Sequence, residues 1–153
     1  MSDTNTGVYE QEMYIEANPE TVFAFLTDPD KMVRWMGVSA TLEPKEGGLY
    51  LVDVTNGNVA KGEFREVFPN YRLSYTFGWD SKDTSVPAGS TLVEIDLKPK
   101  DPGTTLKFTH SGLPEAAVKQ HAEGWNHYCE RLCQSAAGKD PGADPWVKSA
   151  AAE

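Results

Sequence analysis

The chain has 153 residues, 39% of them hydrophobic and 24% charged, the proportions of one soluble globular domain. Its formal charge of −9 repels nucleic-acid phosphates and anionic lipid, so neither is an expected partner. No apolar run approaches the ~20 residues that span a bilayer, and the opening MSDTNTGVYEQ lacks the basic and apolar stretches of a signal peptide. The expected location is the cytoplasm, where Cys129 and Cys133, one helical turn apart, read as reduced thiols.

Residues 1–7 read as a frayed end. Tyr9, Gln11, Met13 and Ile15 then alternate with Glu10, Glu12, Tyr14 and Glu16, a strand with an acidic outer face. Asn18-Pro19-Glu20 stops it and starts a short helix: Asn caps, Pro fits the first helical position, and Glu favours the positive helix end. Asp28-Pro29-Asp30 repeats the signal for a second short helix ending near Trp35-Met36-Gly37. From there the period is two. Segments near 38–43, 48–55, 58–68, 71–79, 91–98 and 104–111 predict strands. Glu46-Gly47-Gly48, Asn56-Gly57-Asn58, Pro69-Asn70 and Asp101-Pro102-Gly103 predict tight turns, and Asp80 to Ser90 a looser loop. With the first strand this makes about seven, mostly joined by hairpins and hence antiparallel. A long helix then runs from Pro114 to near Gly138, with a seam at Val118, Ala122, Trp125, Cys129, Leu132 and Ala136. The Pro-, Gly-, Ala- and Asp-rich remainder, 138–153, reads as a mobile tail in which Trp146 and Val147 stand out as residues that can dock. The fold class is α+β: a curved antiparallel sheet closed by one long C-terminal helix.

Three stretches carry a family resemblance: IEANPETVFAFLTDPDKMVRW at 15–35, GEFREVFPNYRLSYTFGW at 62–79, and GTTLKFTHSGLPEAAVKQHAEGWNHYCERL at 103–132. Together they resemble the START-like helix-grip superfamily (SRPBCC), in its branch related to the activator of the heat-shock-protein-90 ATPase. The resemblance covers a domain at 8–137. It implies a sheet gripping the long helix, with a space between them that often holds an apolar or aromatic small molecule. Some superfamily members are cyclases or other enzymes. Co-chaperone activity in the family belongs to larger proteins with an additional N-terminal domain.

If the sheet curls as the resemblance implies, the expected wall of that space is Trp35, Phe64, Tyr75, Phe77, His110, His121 and Trp125. Tyr71, Leu73, Tyr75, Phe77 and Trp79 share one strand face, and His110 shares another with Leu106 and Phe108. An ordinary core has the same need of such residues. No GxSxG, P-loop or GxGxxG motif occurs, and no CxxC or HxxxH spacing supports a metal site, so no cofactor is expected. Three functions stay open: a module binding a small apolar or aromatic ligand; a cyclase- or hydrolase-type enzyme with His110 and Tyr75 as acid and base; and a chaperone-related interaction module. A homodimer is also open. The interior of the fold discriminates among them.

Overall fold

The computed structural model describes residues 7–147; residues 1–6 of the expected frayed start and the last part of the tail lie outside these, while Gly7, expected to be frayed, is buried at the start of the first strand. Strand β1 (Gly7–Ile15) leads to α1 (Pro19–Thr27) and α2 (Pro29–Met32). Asn18 Oδ1 accepts the Thr21 N–H at 2.8 Å and Asp28 Oδ1 the Asp30 N–H at 2.9 Å, so both Asx-Pro signals work as caps. Six strands follow: β2 (Ser39–Leu42), β3 (Leu49–Asp53), β4 (Val59–Phe68), β5 (Arg72–Phe77), β6 (Thr91–Lys100) and β7 (Gly103–Leu113). Helix α3 (Glu115–Ala136) closes the domain.

All seven strands form one antiparallel sheet in the order β1-β7-β6-β5-β4-β3-β2. It bends at β4, where the pairing with β5 shifts register between Phe64 and Glu66. Gly62 sits beside that shift, and a Cβ there would stand 1.7 Å from the Thr76 carbonyl oxygen. On the outer face Arg72 gathers three carboxylates from two neighbouring strands: Glu66 at 2.9 Å, Glu94 at 2.6 Å and Asp96 at 2.9 Å.

The inner face carries the core. Trp125 is clamped by Phe77 and Phe108, its ring 5.5 and 4.5 Å from theirs. Farther along α3, Cys129, Leu132 and Ala136 are buried as expected. The first half of the helix is turned relative to the expected seam. Ala117 and His121 are buried there, whereas Val118 and Ala122 lie half-buried at the edge. The reason is polar: the imidazole of His121 finds both hydrogen-bond partners inside the domain. Tyr71 also departs from its expected face. It precedes β5 in the β4–β5 turn and is 68% exposed.

Residues 138–147, expected to be mobile, lie against α3. Arg131 donates to the carbonyls of Trp35 (3.0 Å) and Gly142 (2.9 Å), and the Asp144 carboxylate accepts from His127 (2.8 Å) and the Tyr128 hydroxyl (2.6 Å).

Truncating Trp125 to Ala removes the ring from this clamp and should cost about 3–5 kcal/mol of unfolding free energy. Urea titration reads it directly, and an unchanged midpoint would contradict the packing.

Candidate ligand cavity

A cavity of about 550 Å³ opens between the first half of α3 and the sheet. Its wall comes from six places. Strand β5 and the residues after it supply Phe77 and Trp79, the β3–β4 hairpin supplies 54–55 and 57–59, and the loop after β5 supplies Asp80 to Val86 apart from Lys82. Helix α3 supplies Gln120, His121, Gly124, Trp125 and Tyr128. Met36 closes one side and Trp146 another.

Of the expected wall, Phe77, His121 and Trp125 line this cavity. Trp35, Phe64, Tyr75 and His110 are buried in the packed core and are not part of its lining. Trp35 donates its indole N–H to the Phe25 carbonyl at 2.8 Å and so ties α1 to the turn after α2. Phe64 packs edge-on against Tyr50 and Tyr75. Sequence reasoning missed Tyr128, Gly124, Met36, Trp146 and the loop residues. Two of these had a local signal: Trp146, an apolar residue in a polar tail, and Gly124, because a glycine inside a helix costs about 1 kcal/mol relative to Ala.

The polar tips of the wall are consumed internally. Trp125 Nε1–H donates to His110 Nδ1 at 2.9 Å. The Thr91 hydroxyl donates to the Phe77 carbonyl at 2.6 Å, so its oxygen accepts from His110 Nε2–H at 2.7 Å. His110 is therefore the neutral Nε2–H tautomer with both nitrogens engaged. Burial, followed by the neighbouring His121, pushes its pKa down to about 3. Likewise Trp79 Nε1–H donates to His121 Nε2 at 3.1 Å, while His121 Nδ1–H donates to the Ala117 carbonyl at 2.8 Å. The indoles thus turn carbon faces and edges to the cavity.

Deeper in, Tyr50 stacks on Tyr75 with ring centroids 4.0 Å apart and planes 13° apart. Burial raises the pKa of both hydroxyls well above the ordinary value. The hydroxyls interact across the stack, yet that of Tyr50 makes no hydrogen bond of acceptable geometry. Cys129 lies in the same region, and burial pushes its thiol up to about 12, far from a nucleophilic thiolate at neutral pH. At the mouth, burial alone would raise the Asp144 carboxyl pKa. Hydrogen bonds from Tyr128, the Trp146 N–H and His127 hold it below its ordinary value instead.

A curved antiparallel sheet gripping one long C-terminal helix, with a cavity between them, defines a START-like helix-grip domain. The chain belongs to the Activator of Hsp90 ATPase homolog 1-like protein family, whose profile matches residues 16–137. The solution structure of an AHSA1-like protein from Rhizobium etli is 50% identical, with a TM-score of 0.75 over 97% of this chain and 94% of that one. A crystal structure from Mesorhizobium loti is 26% identical over 84% of this chain and 96% of that one, with a TM-score of 0.75. The Aha1 dimer from Colwellia psychrerythraea, 18% identical with a TM-score of 0.74 over 90% of this chain and 99% of that one, shares the fold. No curated protein is a significant match. Among the described residues no helix is long and apolar enough to cross a membrane.

One outcome follows from the buried polar groups. His110 has a folded pKa near 3, below the ~6.5 of a free imidazole, so the unfolded chain takes up a proton that the folded one refuses. Its contribution to stability is full above about pH 6.5 and declines as the pH falls from there toward 3. Between pH 7 and pH 5 it should cost about 2 kcal/mol. His110→Gln, itself less stable, should flatten that slope, and an identical slope in the variant would contradict the assignment.

Proposed function

We propose that this domain binds a small apolar or aromatic molecule in the cavity between the sheet and α3. Gly124 is the observation that carries this reading. It lies in the middle of a 22-residue helix and lines the cavity, and a Cβ built there meets nothing within 4 Å. Packing does not require a glycine at this position, so the helix bears its cost without a steric reason. What its absent side chain leaves is room, bordered by Phe77, Trp79, Trp125 and Tyr128. A concave site walled by aromatics with a few polar groups at the rim is the usual form of a small-molecule site.

The acid–base alternative is less well supported. Both nitrogens of His110 are engaged with Trp125 and Thr91, so it has no free position for proton transfer to a ligand. Tyr75 is stacked on Tyr50 outside the cavity wall.

A neutral naphthalene dye should bind with one-to-one stoichiometry and quench tryptophan emission, because Trp79 and Trp125 both line the site. Gly124→Leu fills the same space from a position with no steric obstacle and replaces a poor helix former with a good one. It should weaken dye binding at least about tenfold in Kd, with melting temperature kept or raised. Undiminished binding by a folded Gly124→Leu protein, or no binding by the parent chain, rejects the reading.

A further inference from the structure

Residues 139–147 leave the end of α3 and lie back along the same helix; Arg131 holds the carbonyls of Pro141 and Gly142, and the side chain of Asp144 anchors the second half. Asp144 sits in a Pro-, Gly-, Ala- and Asp-rich stretch, yet its side chain is only 6% exposed. Burying a carboxylate is unfavourable unless donors answer it. Three do: His127 Nε2–H, the Tyr128 hydroxyl and the Trp146 backbone N–H. Two of these come from α3 and the third fixes the backbone of the residue that reaches the cavity. Trp146 lies flat on His127, with ring centroids 3.8 Å apart and planes 14° apart, and meets Tyr128 edge-on. Trp146 and Tyr128 both belong to the cavity wall.

We propose that residues 139–147 form a movable strap that gates this cavity, with Trp146 as the closing element and Asp144 as its clasp. The inference rests on the cavity being a ligand site. Its hydrogen bonds run to α3 and within the strap, so it can lift without disturbing the sheet. Gly138 and Gly142 flank its first half in the left-handed region, at φ of +86° and +78°, and supply pivots that a residue with a side chain would resist. Trp146 remains 46% exposed, so the strap is held on one side only. A ligand lying against Tyr128 touches Trp146 as well, and an occupied cavity then favours the closed strap by the contacts it adds.

Protein labelled with 5-fluorotryptophan, titrated with the neutral naphthalene dye, tests this by fluorine NMR together with stopped-flow binding. The Trp146 resonance should move with those of Trp79 and Trp125, while that of Trp35, outside the wall, stays in place. Asp144→Ala and a chain ending at Gly138 should each bind the dye roughly tenfold faster, as expected when a charge-assisted clasp no longer holds the closed state. Trp146→Ala, with the clasp kept, should speed dissociation. If the dye binds but Trp146 is indifferent, or association is unchanged in both the Asp144→Ala and the shortened chain, the strap is no gate and the ligand site stands. If the dye binds no form of the protein, the ligand site is rejected and the gate with it.

Discussion

A buried line of hydrogen bonds holds the helix to the sheet. It runs from Trp125 on α3 through His110 on β7 to Thr91 on β6 and ends on the Phe77 carbonyl of β5. Each link satisfies the next, and each lies in surroundings where an unpaired group would be costly. Apolar packing alone does not fix how a helix is rotated on a sheet. A directional chain through three strands does, because only one rotation and one depth of α3 bring the indole N–H to the imidazole. The position of every other residue on the helix follows from that one.

The two ends of α3 then differ in character. Toward its C-terminus the helix meets α1 and the turn after α2, and Cys129, Leu132 and Ala136 are closely packed there. Toward its N-terminus the sheet's β3–β4 hairpin and the loop after β5 stand away from it, and Gly124 widens the gap. Trp79 and His121 form a second internal pair on this open side. The aromatic side chains there have spent their polar atoms on one another, which leaves an apolar surface with hydroxyls, amides and two aspartates at the rim. The closely packed end of the domain and the open end are thus built on one helix.

Most of the fold was legible in the sequence because its signals are local. Period-two alternation marks the strands, and Asn56-Gly57 or Pro69-Asn70 places the turns without reference to anything distant. The two Asx-Pro starts were legible for the same reason, since a cap is a contact between residues two or three apart. The site was less legible because its geometry is relational. Trp35, Phe64, Tyr75 and His110 have the chemistry of a cavity wall, but Phe64, Tyr75 and His110 pack into the core on the sheet's inner face, and Trp35, in the turn after α2, is held in the core by the Phe25 carbonyl. The apolar seam was misjudged at Val118 and Ala122, which lie half-buried at the edge, whereas His121, expected in the wall, does face inward, where Trp79 gives it a donor. The docking of 138–147 depends on His127 and Tyr128, more than ten residues away, and composition alone reads such a stretch as loose.

The strand order also constrains how the chain reaches this state. Five of its six pairings join strands that are consecutive in sequence, and each can zip from its own turn. The sixth joins β1 to β7, setting Ile15 opposite Thr104. Its loop-closure entropy is large in span but grows only logarithmically with length. The same strand reaches α3, where the Tyr9 hydroxyl meets Asn126 Oδ1 at 2.6 Å. The kinetics of folding therefore hinge on the arrival of β1: lengthening a hairpin loop between β2 and β7 burdens a local step and this late closure only slightly, whereas weakening β1 leaves a meander of six strands with an unsealed edge and a helix short of one of its supports.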